Sequence, residues 1–173
     1  MEKTVIHVRV FRPADLPAMT AIWNGIVEAG DAFPQTDTLD SEGALRFFGG
    51  QSFTGVAECD GEIAGLYILH PNNTGRCGHI ANASYAVRAG MRGRHVGERL
   101  VAHSLVKARD LGFRIMQFNA VVRSNLPAIR LYEKLGFIRL GEIPGGFLHK
   151  DGAYRDIILF YRALDPSGPE RDS

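Results

Sequence analysis

Cysteine is scarce: Cys59 and Cys77 are the only two in 173 residues, and they form no CxxC pair. No disulfide framework or thiolate metal knuckle can be built from them, and reduced, buried thiols are the plain expectation. No apolar run approaches the roughly 18 residues of a membrane-spanning helix. The opening MEKTVIHVRVFRP lacks the apolar block of a signal peptide, so the expected compartment is the cytoplasm. The triplets NNT and NAS are then chance matches to a glycosylation signal. Charge of one sign is also missing. The formal net charge is +1, which excludes a global field for nucleic acid or an anionic membrane, so any anion site must be local. Neither a GK[ST]-terminated phosphate loop nor GxGxxG occurs, and no His/Cys cluster has metal-ligand spacing. No Ser/His/Asp set has local motif support.

What remains is an ordinary globular composition, with 45% hydrophobic and 23% charged residues. The length suits one domain with a real core, expected over 1–165 with a polar, frayed tail over 166–173. VIHVRVF alternates as a first strand. A helix follows from Leu16, with Asp15 as N-cap, Leu16, Met19, Trp23, Ile26 and Val27 on one face, and Gly30 as its stop. SEGALRFFGG reads as a second, short helix. Between them, Phe33 and Pro34 could wall a cleft. FTGVAECDGEIAGLYILHP is a hairpin around Asp60-Gly61, a pair suited to a type I′ turn. HIANASYAV is a strand, and Val96, Leu100, Val101, Leu105 and Ala108 then mark a helix. RIMQFNAVV, the helix in NLPAIRLYEKLGF (Asn125 cap, Gly136 stop), IRLGEIP and YRDIILFYRAL complete the order. The pattern predicts a mixed α/β domain on one central sheet.

The segment RAGMRGRHVGERL, residues 88–100, puts glycines and arginines between a strand end and a helix start. The first amides of that helix have no internal partner and carry the positive end of its dipole. Gly93 and Gly97 permit close backbone approach, and Arg92 and Arg94 add charge. That makes a competent pyrophosphate cradle, with a solvated basic loop as the competing reading.

Taken with NAVVRSNLPAIRLYEKLGF, this segment resembles the cofactor core of the GCN5-related N-acetyltransferases. The family's loop pattern is Gln/Arg-x-x-Gly-x-Gly/Ala, and Arg92 to Gly97 matches it except at His95. The pattern Asn-x-x-Ala-x-x-x-Tyr-x-x-x-Gly-Phe is complete from Asn125 to Phe137. The element order resembles that fold from residue 5 to about 164, which implies a mostly antiparallel twisted sheet of about seven strands flanked by about four helices.

The resemblance implies acetyl-CoA as cofactor. Backbone groups of Tyr85, Ala86 and Val87 would pair with pantetheine. Amides from Arg92 through Gly93, Arg94, His95 and Val96 to Gly97 would take the pyrophosphate. Asn125, with Ala128 in the next turn, would help hold the pantetheine arm, and Tyr132 would protonate the departing thiolate. A phenol suits that task, although Tyr132 could equally be a packed ring, Asn125 only a cap, and the arginines solvated. His95 is expected to be tolerated, because backbone amides do the binding and histidine accepts positive φ better than most residues.

Acceptor binding is assigned to Asn82 and Asn119, on the two strands where the family's sheet splays, with Phe33 in the wall. Asparagine is disfavoured in strands, which singles both out, though each could instead tie neighbouring strands. FNAVV with NASY resembles, more loosely, the fungal branch that acetylates proline-like secondary amines. His70, His79 and Glu58 are candidate bases, with an ordered water as the alternative. His149, Lys150, Asp151 and Tyr154 border the final turn and either rim the pocket or decorate it. The expected activity is acetyl transfer to a small-molecule amine, without nucleic acid, membrane or metal. The rivals are a non-catalytic acyl-CoA sensor and a nucleotide-binding regulator. The family often dimerises, but no exposed stripe in the sequence requires a homodimer.

Overall fold

The computed structural model describes residues 5–164; the polar tail expected over 166–173 lies outside them. Strand β1 (Ile6–Val10) leads through a short 3-10 turn into α1 (Leu16–Ala29) and α2 (Ser41–Gly49). Strands β2 (Phe53–Cys59), β3 (Glu62–Pro71) and β4 (Ile80–Val87) follow. Then come α3 (Val96–Asp110), β5 (Ile115–Val122), α4 (Leu126–Lys134), β6 (Ile138–Leu148) and β7 (Tyr154–Ala163). The sheet order is β1-β2-β3-β4-β5-β7-β6, antiparallel throughout except between β4 and β5. The expected fold class is the observed one.

Two cores lie on opposite faces of this sheet. One places Val96, Leu100, Val101, Leu105 and Ala108 of α3 against the strands, and extends to Ile129 and Tyr132 of α4. The other packs Met19, Ile22, Trp23 and Val27 of α1 with Ala44 and Phe48 of α2. Trp23 anchors it, with ring centroids 4.5 Å from Phe33 and 5.9 Å from Phe48. Each fully buried large side chain contributes about 1.5–3 kcal/mol, so packing holds α1 more than propensity does. β3, covered on both faces, is buried almost without a break, and its sequence is correspondingly apolar.

Local signals mostly hold. Asp60 (φ 52°) and Gly61 (φ 81°) both adopt the left-handed geometry of a type I′ hairpin. Gly30, at φ 62°, ends α1 with its N–H on the Ile26 carbonyl. Asp15 holds the expected N-cap position of α1, but its side chain bonds elsewhere. Its carboxylate makes no cap bond to α1; it accepts from the Arg12 amide of the preceding turn at 2.7 Å and from Arg9 at 2.7 Å. The strong charge-assisted pair with Arg9 wins over the amides of the helix. Cys77 is also corrected: it is exposed, on a short 3-10 turn, while Cys59 is buried. No helix among the described residues is long and apolar enough to cross a membrane.

Candidate active site

The site begins with a break in the sheet. β4 pairs with β3 along its whole length, from Ala81 to Val87, but meets β5 only at Ile80–Ile115 and Ala81–Met116. Beyond those pairs the two parallel strands diverge toward their carboxyl ends. The opening is part of a cleft of about 1640 Å³ bordered by both faces of the sheet.

Strand alternation decides which side chain faces where. Ala81, Ala83, Tyr85 and Val87 belong to the α3 face. Asn82, Ser84 and Ala86 therefore point to the α1 face, where Ala86 is fully buried. On β5, Met116 and Phe118 face α3 and α4. The pairing with β7 then slips between Phe118 and Val121, so that two residues, Asn119 and Ala120, stand opposite one. Such a bulge re-aims side chains next to a site. Asn119 and Asn82 both border the cleft, and both donate to one oxygen, Asn72 Oδ1, at 2.6 and 3.1 Å. Asn72 is a residue that sequence reasoning missed, since it sits in a polar loop with no pattern around it.

The α3 face carries the anion-binding machinery. Arg92, Gly93, His95, Val96 and Gly97 border the cleft; Arg94 does not. The amides of His95, Val96 and Gly97 have no acceptor among the described residues. They are unpaired donors at the positive end of a 15-residue helix, the arrangement that favours a phosphate group. His95 itself holds the left-handed geometry, φ 63° and ψ 16°, that the family pattern gives to glycine. Its ring is exposed and lies 3.1 Å from Glu98, which Lys134 of α4 also meets at 2.7 Å. Lys134 first, and then His95, hold the Glu98 carboxyl below its ordinary range.

Across the opening, Asn125 caps α4 by accepting from the Ala128 amide at 3.4 Å, and both residues border the cleft. That cap aims the next turn inward and brings in Tyr132, whose ring packs 4.5 Å from Phe118 and 5.6 Å from Phe137. Its hydroxyl has no hydrogen-bond partner among the described residues, yet no buried side-chain nitrogen or oxygen there lacks one. The hydroxyl is therefore open to the cleft. Burial of the ring pushes the phenol above its ordinary value, so it stays protonated. Tyr85 differs: its hydroxyl is tied to Ser104 of α3 at 2.7 Å, and burial again raises its pKa.

Phe33 borders the α1 side of the cleft while its ring packs, tilted, against Trp23. Three candidate bases do not reach the site. Glu58 is paired with Arg9 at 2.8 Å, His70 contacts the Pro71 carbonyl at 2.9 Å, and His79 is exposed. His149 does border the cleft.

The acetyltransferase (GNAT) family model matches residues 19–137. The N-acetyltransferase aca1 of Schizosaccharomyces pombe is 34% identical over 99 residues, 57% of this chain. The chain spans 47% of that relative's length. A GCN5-related N-acetyltransferase structure from Kribbella flavida is 35% identical with TM-score 0.85, covering 91% of this chain and 97% of its own. A phosphinothricin acetyltransferase from Sinorhizobium meliloti, solved in complex with AcCoA, shares the fold with TM-score 0.86 at 24% identity, covering 96% and 92%.

Proposed function

The chain belongs to the acetyltransferase (GNAT) family, and on that premise we propose that it transfers the acetyl group of acetyl-CoA to the nitrogen of a small-molecule amine in the cytoplasm. The supporting observation is the cleft through the β4–β5 opening, with unpaired amides on one face and asparagines on the other. Acetyl-CoA brings an activated acyl carbon and a thiolate leaving group. The amides of His95, Val96 and Gly97 and the Arg92 side chain hold its pyrophosphate. The open edge of β4 from Tyr85 to Val87 lies alongside the pantetheine arm, with Asn125 and Ala128 opposite. Asn82 and Asn119 orient the amine from the α1 face, beside Phe33. Tyr132 acts as general acid and gives its hydroxyl proton to the departing sulfur.

Thermal unfolding with CoA, acetyl-CoA, NAD and ATP tests the binding half. CoA and acetyl-CoA are expected to stabilise strongly and NAD and ATP weakly; equal stabilisation by NAD sinks the assignment. Gly97→Ala sharpens the test. A Cβ there would meet Leu131 and Val87 at ordinary contact distances of 3.6 and 3.8 Å, so the free protein is expected to keep its stability while CoA loses affinity. Thiol release with a panel of amines tests the transfer half. Stabilisation by CoA with no transfer to any amine would leave a binding protein in place of an enzyme.

A further inference from the structure

Tyr132 and the amides that face the pyrophosphate stand on opposite walls of the cleft. β4 and α3 build one wall, β5 and α4 the other, and the two strands pair only at Ile80–Ile115 and Ala81–Met116. The helix that carries Tyr132 is short and lightly packed: of its nine residues only Ile129 is buried. Two of its polar tethers run to its own wall. Glu133 meets Arg139 of β6 at 3.0 Å, and the Leu135 carbonyl, just past the helix, accepts from Arg162 of β7 at 2.7 Å.

A third tether crosses to the opposite wall. Lys134 Nζ donates to Glu98 Oε1 of α3 at 2.7 Å. Beside it, Leu131 lies so near Gly97 that an added Cβ would touch it at 3.6 Å. Leu131 and Lys134 are three residues apart and share one face of α4. That face meets two successive residues of the first turn of α3, Gly97 and Glu98. Tyr132 leaves the helix about 100° around from Leu131, so fixing this face fixes the direction of the phenol. Side chains reach about 6 Å from a helix axis, so a rotation of about 10° would carry the hydroxyl sideways by about 1 Å. A displacement of that size can cost about 10²-fold in rate.

Glu98 borders the cleft and directly follows the amides of His95, Val96 and Gly97. Its charge suits the positive end of the helix but opposes a bound pyrophosphate. Lys134 offsets that charge, and the pair joins the turn that grips the cofactor to the helix that carries the acid. We propose that Glu98 is a positioning residue for the transfer: through Lys134 it holds α4, and so the Tyr132 hydroxyl, in register with the cofactor bound at the first turn of α3. This rests on the acetyl-transfer reading above. Glu98 itself takes no proton and touches no reacting atom.

Glu98→Gln keeps the length of the side chain and removes its charge. At saturating acetyl-CoA, kcat with the best amine of the panel is expected to fall about 10-fold. CoA affinity by calorimetry is expected to hold or rise, and the melting temperature to change little, since an exposed ion pair contributes little to stability. Lys134→Met is expected to reproduce the loss in kcat, Lys134→Arg to recover it, and the double variant to be no worse than either single one. Hydrogen exchange gives a readout without turnover: CoA is expected to slow the α4 amides of the wild type and to slow them much less in Glu98→Gln. Wild-type kcat and wild-type slowing in Glu98→Gln overturn the proposal and leave acetyl transfer standing. So does a defect confined to CoA affinity, or one explained by a lowered melting temperature. A wild type that acetylates no amine overturns the transfer reading and this role with it.

Discussion

His95 and Glu98 face each other across the first turn of α3, ring to carboxylate at 3.1 Å, while the His95 backbone stands at φ 63°. A side chain in left-handed geometry costs about 1–2 kcal/mol, and glycine occupies this geometry at no steric cost. The contact to Glu98, itself tied to Lys134, turns the imidazole outward and leaves the loop amides clear. The departure from the family's glycine is thus absorbed by backbone tolerance and an outward rotamer.

His95→Gly is therefore expected to shift unfolding stability by no more than about 1 kcal/mol, since lost strain and added chain entropy oppose each other. CoA affinity, read by calorimetry, is expected to stay within a few-fold. A collapse of affinity would mean that the ring itself binds the cofactor, and the backbone account would be wrong.

Asn72 leads to a second expectation. Because Asn82 and Asn119 share its Oδ1, the three should behave as one unit. Asn119→Ala and Asn72→Ala are each expected to raise KM for the amine while acetyl-CoA binding holds. The double variant is expected to be little worse than either alone, as for any pair in one network. Additive losses, or lower stability with unchanged amine kinetics, would return these residues to the role of strand ties.

Periodicity was enough to read the sheet, the four helices and the α3 face, because each depends on spacing within one element. The Asp60-Gly61 turn and the Asn125 cap were legible for the same reason. The site was only half legible. Tyr132 and Asn125 sit in a local motif, whereas Asn72 joins Asn82 and Asn119 only through the fold. The bulge at Asn119 leaves no trace in composition. The bonding of Asp15 and Glu58 is not legible because Arg9, on β1, claims both carboxylates, and long-range pairing of charges has no sequence period.

Another such pair bears on stability. Tyr67, fully buried, places its hydroxyl 2.9 Å from His103 Nδ1 on α3. Burial first, then Lys107 and His7, lowers the His103 pKa, against a small opposing pull from Asp110. The folded state therefore resists a proton that the unfolded chain accepts below about 6.5. Stability is expected to be full above that value and to fall as pH drops beneath it. Urea unfolding of His103→Gln beside the wild type is expected to show a shallower loss between pH 7.5 and 5.5. Parallel slopes would show that His103 is neutral to the balance.

Tyr132 gives the sharpest test of the chemistry. Its hydroxyl is open to the cleft and unpartnered among the described residues, while its ring is wedged against Phe118 and Phe137. Phenylalanine keeps the ring packing, so Tyr132→Phe is expected to fold with near wild-type stability. Loss of a general acid typically costs about 10²- to 10⁴-fold, and turnover is expected to fall by at least the lower figure with CoA affinity within a few-fold. Burial raises the phenol's pKa, so the wild-type pH–rate profile is expected to show no Tyr132-dependent decline below the ordinary phenol value of about 10. A decline there that disappears in Tyr132→Phe would mean the phenol ionises earlier than its burial allows. If turnover in the variant is unchanged when chemistry limits the rate, the sulfur takes its proton from water and Tyr132 is only part of the core.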